Sequence, residues 1–190
     1  MYPVDLRARL HAALDPAPAP VPEPGDRLAA VLALLIQVPE LALVLTLRSD
    51  ALPRHPGEIS FPGGLADDAD ADLVATALRE AEEEIGLDPA SPEVLGALPP
   101  VHTTVSGILV VPFVGILVDP PVLTISDGEI DEILTFPIER LLQAEKVHEL
   151  ERPDGRRWRG WMYQLEGRTI WGATGRMLHD LLEILRRELP

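Results

Sequence analysis

Three glutamates near the middle of the chain have the spacing and charge to bind a metal ion. They lie in the segment Gly63 to Leu87, which reads GGLADDADADLVATALREAEEEIGL. At about 100° per residue, Glu80, Glu83 and Glu84 share one face of a helix. Like charges at these spacings repel by roughly 0.2–0.5 kcal/mol per pair, and they crowd the negative end of the helix dipole. A divalent cation would turn this repulsion into coordination, because Mg²⁺ prefers oxygen ligands.

The same segment predicts the helix that carries these glutamates. An apolar stripe runs along another face of this helix: Val74, Leu78, Ala81 and Ile85. Asp70 or Asp72 could cap its N-terminus, and Gly86 is placed to end it. The alternative is a solvated acidic face without any metal, on which Arg79 only pairs with Glu83 four residues later.

The order of residues around the glutamates resembles the Nudix box. The sequence REAEEEIGL fits the pattern R-E-U-x-E-E-x-G-U, in which U is bulky and apolar, except that Ala81 is small for its position. The whole box runs G-x5-E-x7-R-E, and here the loop is one residue longer. Its acidic position falls on Asp70 when counted from Gly64, and on Ala71 when counted back from Arg79.

The resemblance to the Nudix hydrolases implies an α/β fold, an α/β/α sandwich with a mixed β-sheet. It also implies hydrolysis of a nucleoside diphosphate linked to another group. By the same resemblance, Glu80 and Glu84 are ligands of Mg²⁺ or Mn²⁺, together with a backbone carbonyl near Gly64. Glu83 is a further ligand or the base that activates water. Arg79 orients these glutamates through charge-assisted hydrogen bonds.

A second acid from elsewhere in the fold often assists in such enzymes. Glu129, shortly before the strand sequence EILTF, is the candidate for this catalytic role, with Glu132 behind it. A surface carboxylate beside a strand is an equally good interpretation of both residues.

The segment just upstream, Leu45 to Gly64, indicates which branch of the Nudix hydrolases the chain resembles. It reads LTLRSDALPRHPGEISFPGG and is similar to the signature of the coenzyme A diphosphatases, L-L-T-x-R-S-x3-R-x3-G-x3-F-P-G-G. Arg54 departs from this signature, whose second arginine falls on Pro53. The resemblance implies that coenzyme A is cut into 3′,5′-ADP and 4′-phosphopantetheine. ADP-ribose or another nucleoside diphosphate derivative is the alternative substrate, and a non-catalytic nucleotide- or protein-binding domain is a third interpretation.

Four polar side chains are candidates for binding the substrate. Arg48, Arg54 and His55 shortly precede the glycine pair, and arginine suits the recognition of phosphates, including the 3′-phosphate of coenzyme A. His102 lies in a polar interruption between two apolar strands, which is equally typical of an ordinary turn.

Composition excludes several other functions. The chain has 190 residues and no cysteine, so that zinc–thiolate sites and cysteine nucleophiles are excluded. Its formal net charge of −15 argues against nucleic acids and anionic membranes as partners.

The apolar run Leu28 to Leu47 is interrupted by Pro39 and Glu40, which favours two strands joined by a turn over a membrane span. The start MYPVDLRARL lacks the apolar stretch of a signal peptide and favours the cytoplasm. A homodimer is compatible with the sequence.

The remaining pattern predicts the order of elements. Residues 1–27 are expected to form a helix, Val4 to Leu14, and a proline-rich connector, followed by one domain over residues 28–190. Strands are predicted at about 28–37, 41–48, 94–99, 108–118, 129–136, 160–166 and 168–171. Helices are predicted at about 72–85, 137–145 and 173–188. Strands before, between and after helices indicate a mixed sheet with helices on both faces.

Overall fold

The computed structural model of the protein describes residues 4–37, 39–51, 57–103, 107–117, 119, 122–126, 128–151 and 157–189. The helices in this part of the chain are α1 (Val4–Ala13), α2 (Leu73–Ile85), α3 (Ile138–Ala144) and α4 (Gly172–Glu188). The strands are β1 (Arg27–Gln37), β2 (Leu41–Arg48), β3 (Ile59–Ser60), β4 (Gly63–Leu65), β5 (Glu93–Ala97), β6 (Val101–His102), β7 (Ile108–Leu117), β8 (Ile130–Pro137), β9 (Glu145–Glu151), β10 (Arg157–Leu165) and β11 (Arg168–Ile170).

A mixed sheet forms the centre of the fold. Its strands follow the order β3-β2-β1-β7-β5, with β1 parallel to β7 and the other pairs antiparallel. β1 and β2 pair from Gln37 opposite Leu41 to Leu34 opposite Val44, and then they diverge. Beyond that point β3 pairs with β2, and β4 pairs with β1. The short β3–β4 segment, which contains the glycine pair, therefore fills the gap between two diverging strands.

Helices cover both faces of this sheet. Alternate residues of β1 enter two separate cores, as the period of a β-strand requires. Leu32 and Leu34 pack on the side of α2, whereas Ala33 and Leu35 pack on the side of α1, α3 and α4. The α/β/α sandwich with a mixed sheet, predicted from the sequence, is confirmed. No helix in the described part of the chain has the length and apolar character that a membrane crossing requires.

The N-terminal helix α1 packs into the larger of the two cores. The side chains of Leu6, Leu10 and Leu14 are buried there together with residues of α4. Just after the helix, Asp15 exchanges two backbone hydrogen bonds with Ala97, of 3.0 and 2.8 Å, at the end of β5. The helix α1 and the residues just after it are therefore held to the rest of the domain by both apolar contacts and hydrogen bonds.

We expect Leu10→Ala to destabilise the protein, because Leu10 is completely buried. Loss of a buried leucine side chain lowers the free energy of unfolding by about 2–5 kcal/mol. Urea unfolding measures this change, and His11→Ala, at the exposed neighbouring position, is the control. A Leu10→Ala effect as small as that of the control would show that α1 is not part of the folded core.

A polar network joins α4 to the small antiparallel sheet β9–β10–β11. Glu145 accepts a hydrogen bond of 2.7 Å from the buried hydroxyl of Tyr163. His179 Nδ1 and an Arg186 nitrogen, both on α4, lie 2.8 and 2.9 Å from the same carboxylate. Burial alone would raise the pKa of Glu145, but these three partners outweigh it and hold that pKa below its ordinary value.

Glu145→Gln should lower the free energy of unfolding at pH 7 by at most about 1.5–3 kcal/mol, the usual contribution of hydrogen bonds to a charged group, because solvent screens the exposed part of the carboxylate. Since the folded pKa of Glu145 lies below the unfolded value of about 4.3, this contribution is complete above that pH. It is lost as the pH falls through the folded value, so that wild type and variant converge in strong acid. Urea unfolding at several pH values measures the difference.

The matched control is Glu183→Gln, since Glu183 also accepts from Arg186 but is more exposed. A Glu145→Gln deficit that stayed constant from pH 7 to strong acid would contradict the role of the ionised carboxylate.

Candidate active site

The helix α2 begins and ends through the residues that its sequence indicates. The side chain of Asp72 caps the N-terminus and accepts a hydrogen bond of 2.8 Å from Ala75 N. Gly86 ends the helix in the left-handed conformation, with φ 64°, and its N–H donates to carbonyls of the last turn. The three glutamates therefore lie on the last two turns of the helix.

The apolar stripe of α2 faces the sheet. Ala81 and Ile85 are fully buried, and Val74 and Leu78 pack partly buried against the same core. Ala77, which lies outside the predicted stripe, is also buried there. This packing fixes the rotation of the helix and directs the glutamates toward β4.

Arg79 joins the acidic loop to the acidic face of the helix. Its guanidinium donates to Asp70 through two nitrogens, at 2.9 and 3.1 Å. It also donates to Glu80 at 2.8 Å and to Glu83 at 3.2 Å. A further bond of 3.2 Å reaches the carbonyl of Leu65 at the end of β4. One cation thus holds three carboxylates and a strand end in fixed positions.

Asp70 is the site residue whose role the sequence left open. It does not cap α2. Its carboxylate instead accepts from Arg79, from the Thr76 hydroxyl at 2.8 Å and from Asp67 N at 3.0 Å. Hydrogen bonding to Arg79 holds the pKa of Asp70 well below its usual range. In the sequence, the signal that selected Asp70 was its distance from Gly64, which matches the spacing between the glycine and the acidic position of the Nudix box.

Glu84 is held by a different set of partners. It is only 3% exposed, and its carboxylate accepts a hydrogen bond of 3.2 Å from Gly63 N. An Arg48 nitrogen lies 4.0 Å from Glu84, and the other terminal nitrogen lies 3.5 Å from Glu129. The structure thereby brings three predicted site residues together from the end of β2, the helix α2 and the position just before β8.

The glycine pair leaves the space that the glutamates occupy. An ideal Cβ placed on Gly64 would lie 2.5 Å from Glu80 Cδ. On Gly63, which has φ 151°, it would lie 2.5 Å from Val31 Cα in the neighbouring strand. Any side chain at these two positions would push β4 away from β1 or displace the carboxylate.

The electrostatics of the cluster suit a bound cation. Burial raises the pKa of Glu80, the hydrogen bond from Arg79 opposes that shift, and the charges of Glu83 and Glu129 add to it. Among the described residues, the carboxylates around Arg48 and Arg79 outnumber these two cations. Within the described ranges, no three acidic, imidazole or thiol side chains are grouped closely enough to hold a metal ion as they stand. Glu80 and Glu83 both accept hydrogen bonds from Arg79.

The residues nevertheless fit a divalent metal ion. Glu84 offers buried oxygen donors and Glu80 partly buried ones, and the side-chain-free Gly64 lies directly against Glu80. Oxygen donors from a few carboxylates are what Mg²⁺ and Mn²⁺ prefer in proteins, with water and substrate completing the set. Glu80 and Glu84 are therefore the side chains that would hold such an ion.

Two other predicted residues, His102 and Glu132, lie elsewhere. His102 is half exposed on β6, with Nδ1 3.3 Å from Asp26, and β7 and β1 separate it from β4. Glu132 pairs with Arg168 at 2.6 Å. Arg54 and His55 lie outside the described residues. The substrate-binding roles of His102, Arg54 and His55 stay predictions, as does the assisting role of Glu132.

Comparison with known proteins places the chain in a family. The NUDIX domain model matches residues 26–157. An uncharacterized Nudix hydrolase, NudL from Escherichia coli O1:K1, is 40% identical over 163 residues, which cover 83% of this chain and 82% of NudL. The NUDIX domain of Shewanella oneidensis NrtR, solved in complex with ADP ribose, has a similar fold. Its identity is 18% and its TM-score 0.58, over 96% of this chain and 98% of that one.

A Caenorhabditis elegans Ap4A hydrolase also shares the fold, with 18% identity and a TM-score of 0.51, over 58% of this chain and 80% of its own. The chain belongs to the Nudix family and is a hydrolase of phosphoric anhydrides in nucleoside diphosphate derivatives. Enzymes of this family generally use divalent ions such as Mg²⁺ or Mn²⁺.

We expect Asp70→Asn to reduce hydrolysis of a nucleoside diphosphate substrate with Mg²⁺ by about ten- to a hundredfold. The amide removes the charge that fixes Arg79, and misplacement of catalytic groups by about 1 Å has effects of this size. Steady-state kinetics measure the loss, and thermal unfolding confirms that the variant is folded.

Asp72→Asn is the matched control, because asparagine caps helices as well as aspartate does. Its turnover should stay close to that of the wild type. Full activity in Asp70→Asn would show that Arg79 needs no partner in the loop.

Proposed function

We propose that the protein hydrolyses the diphosphate linkage of coenzyme A, or of its derivatives, to 3′,5′-ADP and 4′-phosphopantetheine, with Mg²⁺ or Mn²⁺. The observation that carries this proposal is the placement of the segment similar to the coenzyme A diphosphatase signature. Arg48 near its start lies beside Glu84 and Glu129, and Gly63 at its end donates to Glu84. The segment that suggests the substrate is thus in direct contact with the proposed metal ligands.

Hydrolysis requires water to attack a phosphorus atom inside a negatively charged diphosphate. A bound divalent ion neutralises phosphate oxygens and lowers the pKa of water. Arg48, which is one-quarter exposed, supplies a guanidinium that suits phosphate oxygens. The proton of the attacking water passes to a carboxylate, for which Glu83 and Glu129 are the candidates, since both are about half exposed. Arg79 keeps Glu80 and Glu83 in position during this step.

A second substrate class also has support. The NrtR domain that shares this fold was solved with ADP ribose, and the second arginine of the coenzyme A signature is displaced by one residue at Arg54. ADP-ribose contains the same diphosphate but lacks the pantetheine arm and the 3′-phosphate. It is therefore the comparison substrate for any test.

The full-length protein with Mg²⁺ or Mn²⁺ should convert coenzyme A to 3′,5′-ADP and 4′-phosphopantetheine, which chromatography separates. Removal of the metal by a chelator should stop the reaction. Cleavage of ADP-ribose without cleavage of coenzyme A would overturn the proposed substrate but keep the reaction class. Nucleotide binding without turnover of any diphosphate would favour a binding domain instead.

Glu84→Gln tests the site itself. We expect turnover to fall more than about a hundredfold, because even residues that only support metal ligands contribute ten- to a hundredfold. The variant should remain folded, since glutamine can still accept from Gly63 N. Glu82→Gln, at an exposed position on the same helix, should keep wild-type turnover. Equal activity of the two variants would remove Glu84 from the metal site.

A further inference from the structure

A completely buried threonine lies at one end of the glutamate face of α2. Thr76 is close to the start of the helix, and its side chain has no exposed surface. At about 100° per residue, Glu80 and Glu83 follow it on the same face of the helix. The loop before the helix covers this end of the face, since Asp70 and Asp72 both lie within hydrogen-bonding distance of the threonine hydroxyl. Thr76 therefore lies where the acidic loop meets the glutamate face.

The hydroxyl of Thr76 is directed at Asp70. It has one proton, which can go either to the Asp70 carboxylate, at 2.8 Å, or to the carbonyl of Asp72, at 3.3 Å. The bond to the carbonyl one turn back is the one that threonine often makes inside a helix. The bond to Asp70 is shorter and has a charged acceptor, and bonds of this kind are the stronger ones. The hydroxyl proton is therefore assigned to the bond with Asp70.

Asp70 needs a fixed orientation because its contact with Arg79 is bidentate. Its two oxygens accept from Arg79 Nε at 2.9 Å and from a terminal nitrogen at 3.1 Å, which requires the carboxylate and the guanidinium to be aligned. The bond from Asp67 N, of 3.0 Å, lies within the loop and moves with it. The Thr76 hydroxyl instead ties the carboxylate to the helix that carries Arg79. Hydrogen bonding to Arg79 lowers the pKa of Asp70 most, and the bonds from Asp67 N and Thr76 lower it further against the effect of burial.

We propose that Thr76 is a positioning residue of the active site. Its hydroxyl fixes the Asp70 carboxylate against α2, and Asp70 thereby fixes the guanidinium that donates to Glu80 and Glu83. Because its side chain is completely buried, Thr76 acts through Asp70 and Arg79 rather than on the substrate. The assignment rests on the metal site proposed above, but it is independent of which diphosphate derivative is the substrate.

Kinetics of hydroxyl-free and hydroxyl-bearing variants test this role. With saturating Mg²⁺, and whichever of coenzyme A and ADP-ribose the wild type cleaves faster, we expect Thr76→Val to lower kcat about tenfold, because outer partners of metal ligands contribute ten- to a hundredfold. KM should stay within about twofold of wild type, since the substrate contacts are unchanged. Thr76→Ser keeps the hydroxyl and should keep most of the wild-type kcat. Unchanged kcat in Thr76→Val, or an equal loss in Thr76→Ser, would overturn the proposal.

A double-mutant cycle tests whether Thr76 acts through Asp70. Asp70→Ala removes the acceptor, so that Thr76→Val made in that background should lower kcat by less than about twofold further. A further loss as large as that in the wild-type background would show that the two residues act independently, and it would overturn the proposal. Thermal unfolding confirms that each variant is folded. Thr76→Ala, which removes the same hydroxyl, replaces Thr76→Val if valine prevents folding.

The NMR signal of the Arg79 Nε–H group reports the contact with Asp70 directly, and Arg79→Lys assigns this signal. A hydrogen-bonded N–H exchanges with water only when the bond opens, so we expect the signal to shift and to exchange faster in Thr76→Val. Thr46→Val is the matched control, because Thr46 is also completely buried but its hydroxyl bonds with Ser60. This control should leave the Arg79 signal in place.

An unchanged Arg79 signal in Thr76→Val would overturn the proposal. The NMR measurement needs no turnover. A wild type that cleaves neither coenzyme A nor ADP-ribose would therefore overturn the proposed function, whereas the Arg79 signal would still decide the role of Thr76.

Discussion

The site depends on one guanidinium, that of Arg79, which gathers acidic groups that would otherwise repel each other. Repulsion between glutamates on a helix amounts to roughly 0.2–0.5 kcal/mol per pair. A hydrogen bond to a charged group contributes about 1.5–3 kcal/mol before solvent screening reduces it at partly exposed positions. Attraction to Arg79 therefore decides the positions of Glu80 and Glu83. Glu84 lies outside this network and needs a separate partner, which the backbone of Gly63 provides.

Gly63 can donate to Glu84 because the strands β1 and β2 separate in this part of the sheet. β1 and β2 diverge after Leu34 and Val44, and the β3–β4 segment enters the gap between them. A backbone this close to both a neighbouring strand and a carboxylate cannot carry side chains, which explains the two consecutive glycines. Arg48, at the end of β2, lies beside Glu84 near the same opening of the sheet.

The sequence predicted the elements with strong periodicity and missed those without it. The end of α2 followed from Gly86, and its start lies at Asp72, one of the two caps that the sequence offered, because capping depends on local backbone conformation. The strands β3, β4 and β6 have two or three residues each, too few to show any alternation. β9 is charged at most positions and was not predicted, since its pairing with β10 is a tertiary interaction. The bond between Asp70 and Arg79 spans nine residues and depends on the path of the loop, which spacing alone does not determine.

That loop explains how the chain departs from the Nudix box and still orients its arginine. The pattern has a glutamate in a shorter loop, whereas here the loop gains one residue and the acid is an aspartate, one methylene shorter. The two changes offset each other, since an extra backbone residue can bring a shorter side chain to the same guanidinium. The outcome is a bidentate contact at 2.9 and 3.1 Å, supported by Thr76 and Asp67. What Arg79 requires at this position is therefore a carboxylate within hydrogen-bonding distance, and in this chain an aspartate in a longer loop supplies it.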